Sequence, residues 1–81
     1  MQILYFAWVR ERIGLPREDF ETSAATVADL VAELRGREER YALVFSDMDA
    51  IRVALDQELV ELDAPLNGVK EVAFFPPMTG G

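Results

Sequence analysis

Apolar and polar positions alternate, then fall into helical spacing, then alternate again along this chain, and each change of period marks a change of element. Gln2 to Trp8 is aromatic and β-branched in character, with Ile3, Tyr5 and Ala7 alternating with Gln2, Leu4, Phe6 and Trp8 across a pleat. Apolar side chains on both faces predict a strand in the middle of a sheet. Val9 to Ile13 carries the charged triplet Arg10, Glu11 and Arg12 and stops at Gly14, which reads as one short helical turn or a loop before Pro16 redirects the chain. Glu18 to Thr22, with Phe20 as its anchor, is expected to return as the second arm of a hairpin. Thr26 followed by Asp29 has the form of a capping box. Val27, Leu30, Val31 and Leu34 then share one helical stripe, and Gly36 ends the run, so this is the clearest helix.

Arg37 to Arg40 is a charged run that extends into a second helical turn or a solvated linker, with Tyr41, Leu43, Val44 and Phe45 as apolar anchors. Ser46, Asp47 and Asp49 are read as turn residues capping their own backbone and not as carboxylate metal ligands. Ile51, Val53 and Leu55 alternate with Arg52, Ala54 and Asp56; Asp56, Gln57 and Glu58 form a turn, and Leu59 to Leu62 returns as a partner strand. Leu66 is an isolated apolar plug ahead of the turn signal Asn67-Gly68. Glu71 to Phe75 is the final strand, closed by Pro76 and Pro77, neither of which donates to a sheet ladder.

Hairpin, helix, hairpin and last strand make an α+β domain over residues 1–76, followed by a flexible di-glycine tail over 77–81. One amphipathic helix on one face of a mixed sheet of four to five strands is the natural two-layer solution. The first and last strands are the most apolar, so both are expected at the centre, clasping one main helix in the β-grasp arrangement.

Composition narrows what such a domain does. At 81 residues a single domain buries only about 60 to 65% of the surface its unfolded chain exposes, yet 51% hydrophobic content supports a packed core. There is no cysteine and no histidine, which removes disulfides, thiolate ligands and the commonest general base and metal ligand. The remaining acids, such as Glu61 and Asp63, sit in ordinary strand-edge and turn contexts, so self-contained catalysis is not expected. A net charge of −7 repels a phosphate backbone, so nucleic acid is a poor partner. The apolar run Met1 to Val9 lacks a basic leader and falls far short of the roughly 20 residues that span a bilayer, so no membrane is expected and the cytoplasm is the expected location.

The candidate chemistry lies at the end, Pro76-Pro77-Met78-Thr79-Gly80-Gly81. Two closing glycines occur by chance in about 0.5% of sequences at a glycine frequency of roughly 7%, so the pair gains its meaning from what precedes it. Prolines stiffen the exit from the strand, and glycines carry no Cβ to stop the end from threading a narrow channel. Such a tail delivers a carboxylate into another protein's active site, where ATP activates it as an acyl-adenylate and a sulfur or nitrogen nucleophile replaces AMP. A frayed terminus is the competing reading. Phe74 and Phe75 are consecutive in a strand, so one enters the core and the other faces out, forming with Phe6 an apolar patch beside the tail.

The segments MQILYFAWVRERIG, IRVALDQELVELDAPL and EVAFFPPMTGG resemble the small subunits of molybdopterin synthase across essentially the whole chain, most specifically in AFFPP, two variable residues and GG. The resemblance implies a ubiquitin-like β-grasp carrier with no bound cofactor, whose Gly81 is adenylated by an activating enzyme that uses ATP and is then converted to a thiocarboxylate with sulfur from a donor protein. It implies sulfur transfer to cyclic pyranopterin monophosphate in the active site of the large subunit, two charged carriers being consumed per pterin, within a heterotetramer. Gly80 and Gly81 match the tail motif, with Pro76, Pro77, Met78 and Thr79 leading to it. Phe6 and Phe75 match the apolar docking surface, and Arg10 matches the basic position after the first strand. The chain departs from the family at Gly68-Val69-Lys70-Glu71-Val72, where the family commonly has Gly-Asp-Glu-Val, so the geometry of that turn is the point to examine. Carriers of the same fold serving thiamine thiazole or cysteine synthesis share the di-glycine end, and a ubiquitin-like interaction module with an inert tail is the reading from another class.

Overall fold

The structure, a computed structural model, describes residues 1–77. Its strands are β1 (Gln2–Tyr5), β2 (Arg17–Asp19), β3 (Arg52–Leu55), β4 (Glu58–Val60) and β5 (Glu71–Phe75), and its helices are α1 (Ala7–Ile13), α2 (Val27–Arg35) and α3 (Glu39–Val44), with a 3₁₀ turn at Met48–Ala50. The five strands lie in the order β2-β1-β5-β3-β4. β1 and β5 pair in parallel, Ile3 beside Val72 and Tyr5 beside Phe74, and the other ladders are antiparallel. The two ends of the chain therefore supply adjacent inner strands, as their apolar content predicts.

Alternation along each strand sends Ile3, Tyr5, Val53, Leu55, Val72 and Phe74 to one face, where they meet Val27, Leu30, Val31 and Leu34 of α2. α1 adds Val9 and Ile13, spaced four apart on one helical stripe, and α3 adds Tyr41 and Val44. Phe45 meets the Phe74 ring edge-on with centroids 4.9 Å apart, and Tyr5 stacks with the same ring at 6.2 Å. Each fully buried side chain of this size contributes about 1.5–3 kcal/mol, so the single helix-covered face carries the stability of the fold. α2 begins as expected, with the Thr26 side chain accepting from the Asp29 amide.

Several boundaries differ from the sequence expectation, each for a local reason. β1 stops at Tyr5: the Phe6 amide makes a last bond to the Phe74 carbonyl, and Ala7 then takes a positive φ of 53° that turns the chain into α1. Ala7 and Trp8 consequently leave the pleat, and Trp8 lies under the Arg12 guanidinium, 5.0 Å from the ring centroid. β2 covers Arg17–Asp19, and Thr22 turns away to donate its hydroxyl to Glu33. The Asp56-Gln57 turn has both residues at positive φ, 49° and 73°, so Glu58 is already in the ladder opposite Leu55. After Val60 the chain leaves the sheet, and the Leu62 and Ala64 carbonyls accept from the amides of Ala28 and Val27 at the start of α2. Leu43 is no anchor: Tyr41, Val44 and Phe45 share the inward face of α3, and Leu43 points to solvent. Ser46 and Asp47 do cap their own backbone, the Ser46 hydroxyl donating to the Leu43 carbonyl and the Asp47 carboxylate accepting from the Asp49 amide.

Candidate functional site

Among the described residues no helix covers the second face of the sheet. The alternation that buries Phe74 and Val72 places Ala73 and Phe75 of β5 on this side, and the ladders bring Leu4 of β1, Ala54 of β3 and Leu59 of β4 beside them. Leu4, Ala73, Ala54 and Leu59 form one cross-strand row, with Leu59 65% exposed. Phe6, 46% exposed, follows directly on β1, and its amide bond to the Phe74 carbonyl holds it alongside Phe75. Phe75 is half-buried, as are Pro76 and Pro77, so the apolar face runs continuously into the root of the closing segment. The question of which phenylalanine faces out is thereby answered: Phe74 is wholly buried and Phe75 lies on the open face.

Arg10 sits one helical turn beyond Phe6, its amide donating to the Phe6 carbonyl. It is exposed and lines a shallow depression with Gly14, Leu15 and Pro16. The fold thus brings Phe6, Phe75, Pro76 and Pro77 together, with Arg10 at the margin, whereas Met78, Thr79, Gly80 and Gly81 lie outside the described residues. Leu59 is the residue that sequence reasoning did not single out. Its signal was available: the register of the second hairpin places it opposite Ala54, on the face that Phe75 shares.

The turn where the chain departs from its resemblance is well held. Gly68 adopts a φ of 78°, which suits glycine, and the Val69 amide donates to the Leu66 carbonyl at 3.0 Å. The Asp56 carboxylate then accepts from the amides of Lys70 and Glu71 at 3.1 and 3.0 Å, anchoring the start of β5 to the β3–β4 turn. This strand runs on to the tail, so its register is fixed at the end remote from Gly81.

A polar knot stands behind the sheet edge. The Glu18 carboxylate of β2 accepts from Tyr5 Oη at 2.8 Å, Tyr41 Oη at 2.6 Å and Arg37 Nη1 at 2.9 Å. Partial burial pushes the Glu18 carboxyl up, but the bonds from Tyr41, Tyr5 and Arg37 outweigh it and hold the group below its usual range. Burial and the same carboxylate raise both phenols. Every member is satisfied, and the knot ties β1, β2 and α3 together; it offers no free nucleophile or base. Among the described residues no cluster of acids has the spacing to hold a metal ion, and no helix is long and apolar enough to cross a membrane.

Comparison with known proteins agrees with this architecture. The profile of the ThiS family matches residues 3–81. The molybdopterin synthase sulfur carrier subunit of Escherichia coli strain K12 is 38% identical over 81 residues, covering 100% of this chain and 99% of the relative. The molybdopterin synthase sulfur carrier subunit of Haemophilus influenzae is 33% identical over 81 residues with the same coverage. The crystal structure of SAMP1 from Haloferax volcanii superposes with a TM-score of 0.71 at 31% identity, covering 99% of this chain and 97% of that one.

Proposed function

This chain belongs to the ThiS family, and we propose that it is the sulfur carrier subunit of a molybdopterin synthase, working through the carboxylate of Gly81. The observation that carries the reading is the uncovered apolar face of Phe6, Leu59 and Phe75, continuous with Pro76 and Pro77 and so with the segment that ends in Gly80-Gly81. An apolar patch of this kind marks a docking surface, and it lies where a partner receiving that end must sit. The end-to-end match to relatives bearing the molybdopterin synthase name selects this carrier over those serving thiamine or cysteine synthesis.

In the proposed cycle an activating enzyme binds the open face and ATP. A Gly81 carboxylate oxygen attacks the α-phosphorus, pyrophosphate leaves, and the acyl-adenylate forms. A persulfide on a donor protein attacks the acyl carbon and AMP leaves; a thiol then reduces the resulting acyl disulfide, releasing the thiocarboxylate and leaving a disulfide on the donor side. The charged carrier docks by the same face on the large subunit, its sulfur bonds to cyclic pyranopterin monophosphate, and water hydrolyses the acyl–sulfur bond, so that the carrier departs with its carboxylate restored. The carrier itself holds no cofactor, and it needs no cysteine, because the sulfur rides on a main-chain acyl group. Phe6, Phe75 and Arg10 are assigned to partner docking, Gly80 to passage through the receiving channel, and the cytoplasm to the whole cycle. Basic residues for the anionic pterin fall to the large subunit, whose field a carrier of net charge −7 complements.

Intact-mass analysis tests this directly. Incubation with ATP, an activating enzyme and a sulfur donor is expected to add one oxygen-for-sulfur exchange, and removal of Gly80 and Gly81 to abolish it. An unchanged mass beside an activating enzyme that loads its own carrier would refute the reading.

A further inference from the structure

Charged residues border the open sheet face at both of its ends. Ladder register sets Asp19, Gln2 and Glu71 across one end, Arg17, Leu4, Ala73, Ala54 and Leu59 across the middle, and Phe75 beside Arg52 at the end where β5 leaves for the tail. Asp19 and Glu71 thus lie at the end remote from Pro76, Arg17 at mid-sheet and Arg52 at the tail end, where Asp49 and Glu61 line its groove.

Arg52 is the best placed of these cations. It is the cross-strand partner of Phe75, on the face that Phe75 shares. Its Nη1 donates to the backbone carbonyls of Asp49 and Ile51 at 3.2 and 3.3 Å, which holds the guanidinium in place without neutralising it. Arginine presents five N–H donors in a planar fork, so Nη2 and Nε remain for a side-on carboxylate. Among the described residues neither Arg52 nor Arg17 forms an ion pair. Arg52 also lines a groove with Leu59, Leu62, Asp49 and Glu61, so a side chain entering there meets the cation beside both apolar wall and carboxylates.

We infer that Arg52, with Arg17 in support, engages carboxylate side chains on the docking patch of the large subunit, and that this pairing fixes the direction in which the open face seats. The inference rests on the carrier reading above and adds to it the chemistry of the partner: an apolar patch bordered by aspartate or glutamate near the channel that receives Gly81. Apolar contact supplies adhesion but little direction, whereas a guanidinium fixed at one end of the sheet distinguishes the correct seating from the one turned end for end. A guanidinium already held by two carbonyls loses little further freedom on pairing.

The test is calorimetric titration of the molybdopterin synthase large subunit from the same organism with the intact carrier at low and high salt. Arg52→Glu is expected to weaken binding about ten- to hundredfold and Arg52→Gln about tenfold, each with a shallower salt dependence than the unsubstituted chain. Arg52→Lys, which keeps the charge and loses the fork, is expected between them and the unsubstituted chain. Arg52 is exposed, and an unaltered thermal midpoint verifies that each variant is folded. Binding of Arg52→Glu within about twofold of the unsubstituted chain, at both salt concentrations, overturns the inference and leaves the carrier reading standing. Failure of the unsubstituted chain to bind the large subunit removes both.

Discussion

Glu18 carries more of this fold than a single acid usually does, because one carboxylate accepts three hydrogen bonds, from β1, from α3 and from the connection between α2 and α3. Its folded-state value lies below the ordinary 4.5, so its contribution is complete above that value and is lost as pH falls through the depressed one. The two phenols are raised, so theirs is complete below the ordinary 10.0 and lost as pH climbs above it. Glu18→Gln is expected to cost about 1–3 kcal/mol at neutral pH and to flatten the acid limb of the stability profile, because the group that titrates there has gone. Urea midpoints measured from pH 7 down to the acid limb check this; an acid limb as steep as before would assign it to other carboxylates. At Gln57 the balance runs the other way. A side chain held at a φ of 73° in a two-residue hairpin is strained where glycine is not, so Gln57→Gly is expected to stabilise by about 0.5–1 kcal/mol in the same urea assay. Asp56 shares the turn but must stay, since its carboxylate caps Lys70 and Glu71.

At the scale of elements, what was legible in the sequence followed from periods long enough to be unambiguous. The stripe of α2, its Thr26 cap and the bounds of β5 all emerge as read, because their apolar spacing and their breakers agree. Thr26→Ala is accordingly expected to cost about 1 kcal/mol in thermal or urea unfolding, by leaving the Asp29 amide without its acceptor; no loss would mean that water replaces the hydroxyl freely. The end of β1 was not legible, since an apolar run continues through Trp8 and only the backbone at Ala7 turns it into a helix. The missed Leu59 has a related origin. An exposed leucine on a short edge strand reads as incidental until the register of β4 on β3, and of β3 on β5, aligns it with the row that Phe6 and Phe75 border. The tail motif is a local string and can be read from residues alone, whereas the face that presents it is a product of pairing between distant segments.

The whole molecule divides its labour between a body and an end. Among the described residues every core residue lies between Ile3 and Phe74, and the last ladder position is Phe75. The strand leading to the tail is the middle one of the five, bonded on both sides to β1 and β3, so its direction is set by the most protected part of the sheet. A body built this way holds the root of the tail rigidly against a docking surface, and the proposed chemistry then needs nothing from the body except position. Stability and function therefore become separable by substitution. Appending one residue after Gly81 removes the carboxylate from the position at which an activating enzyme would meet it and changes none of the core residues. The expected outcome is a thermal midpoint within the error of the unextended chain and complete loss of sulfur loading by intact mass, with affinity for the large subunit's docking patch reduced far less than loading. Full loading of the extended chain would show that the working carboxylate is not that of Gly81, and it would shift the search for the acceptor of sulfur to the side chains of the body.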